Sequence, residues 1–140
     1  MANEAILKYY MEDPLDMIVA NGTGIEKGAT MRLTSSGTAI QASSSGVPPA
    51  GIAAREKVAS DGRTRLACYQ RGVFQMTLAT NSTCEVGNLM VFSGTNTIAK
   101  AGDYGTTGSQ IQEATISGLI IGRALGDGVS GGYVDVLINL

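Results

Sequence analysis

Short apolar runs of alternating pattern, broken by small polar turns, cover most of this chain. In Gly72–Leu78, Phe74, Met76 and Leu78 alternate with Val73, Gln75 and Thr77, and in the last stretch Val134, Val136 and Ile138 share one face. Period two places alternate side chains on opposite sides of a strand, so these runs predict half-buried β-strands. Further strands are expected at 15–20, 29–33, 38–42, 51–57, 66–69, 88–92, 97–101 and 117–125. Between them lie turn signals such as Asn21-Gly22-Thr23-Gly24, Ser35-Ser36-Gly37, Ser60-Asp61-Gly62 and Ser93-Gly94. Ser43–Pro49 is expected to be a loop, because proline cannot donate to a strand ladder. No run shows helical periodicity over about eleven residues. Many short strands separated by glycine turns imply an all-β, compact antiparallel barrel or sandwich.

The pattern is used twice. Met17–Leu33 recurs as Met76–Phe92, with Glu26 falling on Glu85, Gly28 on Gly87 and Met31 on Met90. Each copy has an apolar run, a polar turn, an apolar-Glu-x-Gly step and a second apolar run. Further on, Ile52-Ala53-Ala54-Arg55 aligns with Ile120-Ile121-Gly122-Arg123, and Leu66 and Cys68 align with Val134 and Val136. This predicts a single β domain over residues 17–140 built from two related halves, about 17–69 and 76–138. Residues 1–16 stand apart. Ile6, Leu7, Tyr9, Tyr10 and Met11 crowd together before Asp13-Pro14 breaks the run. They suit either a first strand packed on the domain or an N-terminal arm that docks on another chain.

Composition narrows the function classes. Charged residues are 16% and the formal net charge is −2, with no basic run, which argues against nucleic acid as a partner. No apolar stretch approaches the roughly 18 residues that a membrane helix needs, so no membrane partner is expected. The N-terminus carries Glu4, Glu12 and Asp13 and shows no export signal, which suggests a soluble chain made in the cytoplasm. Cys68 and Cys84, without a CxxC pair, are expected to be reduced and partly buried.

Candidate chemistry is sparse. Gly126-Asp127-Gly128-Val129-Ser130-Gly131 spells GxGxxG, but a dinucleotide site needs a helix opening at those glycines, and the residues after them alternate like a strand. Gly22–Gly28 resembles a phosphate loop, yet Ala29 stands where the lysine is required. With no histidine, His-dependent triads and His metal sites are ruled out. The carboxylates Glu12 with Asp13, and Glu26 with Glu85, could form acid pairs. All sit beside turns, where solvated charge is the simpler reading. No catalytic, cofactor or metal site is therefore expected.

The series Ile25-Glu26-Lys27-Gly28, Gly51-Ile52-Ala53-Ala54, Asp61-Gly62, Arg71-Gly72-Val73-Phe74, Val86–Val91, Ile120–Leu125 and Tyr133–Leu137 resembles the capsid decoration, or head cement, proteins of tailed bacteriophages and related prokaryotic viruses. The likeness spans residues 15–140, and its specificity lies in the order of the elements. The resemblance implies a β domain that sits on the outer surface of an icosahedral capsid, commonly as a homotrimer. There it clamps neighbouring major capsid proteins and carries no catalytic site. It also implies an arm, for which Ala2–Met11 is suited, adding a strand to a capsid subunit. The expected partner contacts are Ile6, Leu7, Tyr9, Tyr10, Met11 and Tyr104, with Tyr133 as a further exposed aromatic. The rivals are a carbohydrate- or host-binding β module of a tail or fibre, and a small carboxylate enzyme using Glu26 or Glu85.

Overall fold

A computed structural model of the chain describes residues 3–34, 36–45, 47–101 and 118–140. The fold is all-β. The first half supplies β2 (Leu15–Ile18), β3 (Thr30–Leu33), β4 (Ala39–Gln41), β5 (Pro49–Ala53) and β6 (Arg65–Tyr69). Its sheet runs β2-β6-β5-β3-β4. The second half supplies β7 (Arg71–Leu78), β8 (Leu89–Phe92), β9 (Thr97–Lys100), β10 (Ile120–Ala124) and β11 (Tyr133–Asn139), in the order β7-β11-β10-β8-β9. Position for position, the two orders are the same.

One difference separates the halves. In the second, β7 and β9 pair in parallel, Thr77 opposite Thr97 and Leu78 opposite Ile98, so five strands close into a barrel. Closure satisfies edges that would otherwise be open. Among the described residues, no such pairing joins β2 to β4. Packing suggests why. Phe74 and Phe92 fill the barrel, together with Met76, Met90, Ile98 and Ile138. The residues 59 positions before the two phenylalanines are Leu15, which is exposed, and Leu33, which is half-buried. The first half instead encloses a smaller core around Ile25, Ala29, Met31, Leu66 and Cys68.

Main-chain bonds give the register between the halves. Gly28 N–H donates to Ala53 O at 2.8 Å, and Gly87 N–H to Ala124 O at 2.8 Å. Ile25 and Lys57 exchange two bonds, as do Cys84 and Gly128. Ala53 therefore matches Ala124, which puts Gly51 on Gly122 and Lys57 on Gly128. The alignment of Ile52 with Ile120 by letter is off by three residues. After the next turn the letter alignment is right: Ala54 N–H reaches Ala67 O where Leu125 N–H reaches Asp135 O. The first half has three more residues in that turn. What is shared is the glycine: a Cβ on Gly51 would lie 2.3 Å from Tyr69 O, and one on Gly122 would lie 1.8 Å from Leu137 O.

Two expected boundaries move. Pro49 is not in a loop but opens β5 opposite Arg32, where the β3–β5 register shifts, a position that tolerates proline. The strand expected over 51–57 ends at Ala53, although Ala54 N–H still donates to Ala67 O in the β5–β6 register. The expected surface loop 103–112 lies outside the described residues.

The halves are fastened together. Buried Asn96 accepts from Thr30 N–H at 3.1 Å and from Gln41 Nε2 at 3.3 Å, and Ser45 bridges Ser93. Ala42, Val47 and Ile52 of the first half pack into the barrel core.

Both cysteines are unlinked and buried. Burial pushes the Cys68 thiol up to about 12 and also raises Cys84. Thiolate is the reactive form. Native protein at pH 8 should therefore resist Ellman's reagent, with labelling that tracks unfolding. Rapid labelling of Cys68 in the native state would contradict its placement.

Candidate interaction surface

The segment that could be an arm or a first strand is a strand. β1 (Ile6–Tyr10) lies antiparallel on β7, with Ile6 opposite Gln75, Leu7 opposite Phe74 and Tyr9 opposite Val73. The register shifts between Leu7 and Tyr9, leaving Lys8 as the extra residue of a bulge. Leu7 packs against the barrel core, so its apolar surface is largely spent within the chain. Its neighbours face solvent: Ile6 is 55% exposed, Tyr9 69%, Tyr10 59% and Met11 48%. The Tyr10 hydroxyl donates to Asp13 Oδ1, a bond that raises the tyrosine's pKa and ties the end of β1 to the turn after it. Tyr104 lies outside the described residues. Tyr133 opens β11 and is exposed.

Pairing extends this surface across the barrel. Tyr9 stands opposite Val73, Val73 opposite Leu137, Leu137 opposite Arg123 and Arg123 opposite Leu89. Residues directly opposite in antiparallel strands share a face. The outside of the sheet therefore carries one row, apolar but for Arg123, running from the edge strand to β8. Single exposed apolar residues are ordinary, but contiguous ones mark interaction sites.

Beside β1 opens a cleft of about 840 Å³, whose wall includes Asn3, Glu4, Lys27, Tyr69, Gln75 and Tyr133. Glu26 and Glu85 take equivalent places, each in the turn that leads into β3 or β8. Ala29 N–H bonds Glu26 O and Asn88 N–H bonds Glu85 O, so both serve as turn residues. Among the described residues, no group of three Cys, Asp or Glu side chains could hold a metal ion, and no helix is long and apolar enough to cross a membrane.

Sequence reasoning missed Lys57. Its side chain is buried, and its ammonium donates to Asn21 O at 2.7 Å and Thr23 O at 3.0 Å, with Asp61 Oδ1 at 3.5 Å. The signal was present as Asn21-Gly22-Thr23-Gly24, a turn whose carbonyls need donors, and as an acid four residues after the lysine. The counterpart Gly128 leaves room for Leu78, whose Cδ1 would sit 2.4 Å from an added Cβ.

No protein-family model matches the chain, and no curated protein matches it.

Proposed function

We propose that the chain is a structural virion protein that binds the outer surface of an icosahedral capsid and clamps neighbouring major capsid proteins. The observation that carries this reading is the edge strand β1, which presents Ile6, Tyr9, Tyr10 and Met11 to solvent at one end of the apolar row over the barrel. Tyrosine anchors bury much area at low entropic cost, and many equivalent weak contacts over a symmetric shell add through multivalency. The doubled β scaffold supplies a stiff body that such contacts could pull against, and the resemblance in element order points the same way. A homotrimer would bring three copies of the row to one place. The outer face of the shell is then where the protein acts, with no cofactor called for.

The test uses expanded shells of the major capsid protein encoded in the same genome. Tyr9→Ser with Tyr10→Ser should cut shell binding at least about tenfold, the loss expected of two interface anchors, while the melting temperature stays near wild type. Undiminished binding by this variant would remove β1 as the contact.

A second reading rests on the cleft at Tyr69 and Tyr133. Aromatic walls with Asn, Gln and Glu at hand suit a sugar. Binding to one glycan class on an array, lost in Tyr133→Ala, would favour it.

A further inference from the structure

We propose that the open edge of β2 and the arginine cleft beside it form a docking site for an extended acidic segment of the capsid protein. The inference rests on the capsid reading and gives that contact a place and a chemistry.

The duplication shows which edge is incomplete. On the side of β7 away from β11 lie β1 and β9. The equivalent side of β2 has neither neighbour among the described residues. Val19 N–H donates to Thr64 O at 2.9 Å, toward β6. Alternation along the strand then turns the N–H and C=O groups of Asp16 and Ile18 to the open side. Such an edge is a template for a polypeptide backbone.

Charge names the kind of polypeptide. Arg55, Arg63 and Arg65 line one cleft of about 450 Å³ over Pro14, Asp16 and Ala67. All three arginines are exposed. Arg63 reaches Asp61 at 3.8 Å, whereas the side chains of Arg55 and Arg65 have no hydrogen bond or ion pair among the described residues. Arg65 lies directly across from Ile18 on the open strand. Planar guanidinium forks match carboxylates, so a strand added at β2 with Glu or Asp on the outward side would find partners there. Asp16 in the same wall opposes a dense polyanion such as nucleic acid.

The experiment measures anisotropy of a labelled peptide alternating Glu with Thr, against its Lys-for-Glu counterpart. The acidic peptide should bind and the basic one should not. Arg55→Gln, Arg63→Gln and Arg65→Gln together should weaken binding at least about tenfold, by removing the charged partners. Asp16→Asn should tighten it, and Ile18→Pro, which removes an outward N–H, should weaken it. The arginines are exposed, so the triple variant should keep its melting temperature. Absent binding of the acidic peptide, equal binding of both peptides, or an unchanged affinity in the triple variant overturns the site. Shell binding run in parallel separates the two ideas. A triple variant that decorates shells as wild type does removes the cleft and leaves the capsid reading. Peptide binding without shell binding does the reverse.

Discussion

Gly122→Ala is expected to lower the melting temperature by about 10 °C or more, corresponding to about 3 kcal/mol in a chain of this size. The added Cβ would lie 1.8 Å from Leu137 O and 2.8 Å from its carbonyl carbon. Those atoms are backbone, and the strand that owns them is held between β10 and β7 by ladders on both sides. No rotamer change can relieve the overlap, so β10 must move away from β11 and loosen the closed barrel. Gly51→Ala should behave alike in the first half, with a contact of 2.3 Å to Tyr69 O and a φ of +119° that disfavours any side chain. Gly126→Ala is the control, because nothing lies within 4 Å of its Cβ and its φ is not left-handed. It should stay within about 0.5 kcal/mol of wild type. Thermal melts of the three variants check this, and a Gly122→Ala protein as stable as Gly126→Ala would refute the β10–β11 geometry.

Lys57→Met carries the second large effect, a loss of about 3 kcal/mol. The methionine can fill the space of the lysine stem. It cannot donate to Asn21 O or Thr23 O, so Thr23 O loses the ammonium's hydrogen bond and Asn21 O keeps only that from Ser60 N–H. It also removes the cation that faces Asp61. The main-chain N–H of Arg63 is the chief cause of the depressed Asp61 pKa; burial, the next largest influence, opposes it, and Lys57, Val58 N–H and the Arg63 charge lower it further. A carboxylate whose folded pKa is lowered stabilises the fold above its unfolded value, near 3.9. That contribution is lost as the pH falls through the lower, folded value. Wild type should therefore lose part of its stability below about pH 4, and Asp61→Asn should flatten that slope. Denaturant melts from pH 6 to pH 2.5 read both effects, and a Lys57→Met variant as stable as wild type would refute this role of Lys57.

How much of this was legible in the sequence depends on the scale of the interaction. Alternation in 72–78 and 134–138 gave strands with the inward residues correct, because period two is a local signal: Phe74, Met76, Leu78, Val134, Val136 and Ile138 are all buried. The Ile25 and Cys84 steps, with glycines of φ +87° and +88° after them, could also be read, since left-handed turns need glycine. The match of Ala53 with Ala124 could not. It depends on which carbonyl each strand faces across a sheet, and nearby isoleucines offered a closer match in letters. Lys57 was hidden for a related reason. Its partners lie in a turn 36 and 34 residues earlier in the chain, and only packing brings them together. The proposed contact surface was half legible: the crowding of Ile6, Tyr9, Tyr10 and Met11 could be seen, and a first strand was one of two options for it, but the inward turn of Leu7 could not.

The duplicated architecture also bears on function. Under the proposed capsid role, the sister sheet, which stays open among the described residues, would complete its contacts on the partner while the barrel is already closed. The most direct measurement is sedimentation of the wild-type chain with expanded shells of the major capsid protein encoded in the same genome, followed by heating of the decorated and bare shells. Saturable binding in a fixed ratio to capsid subunits is expected, together with a higher shell melting temperature. Shells that sediment without the protein, or that melt at the same temperature when saturated with it, would contradict the capsid reading.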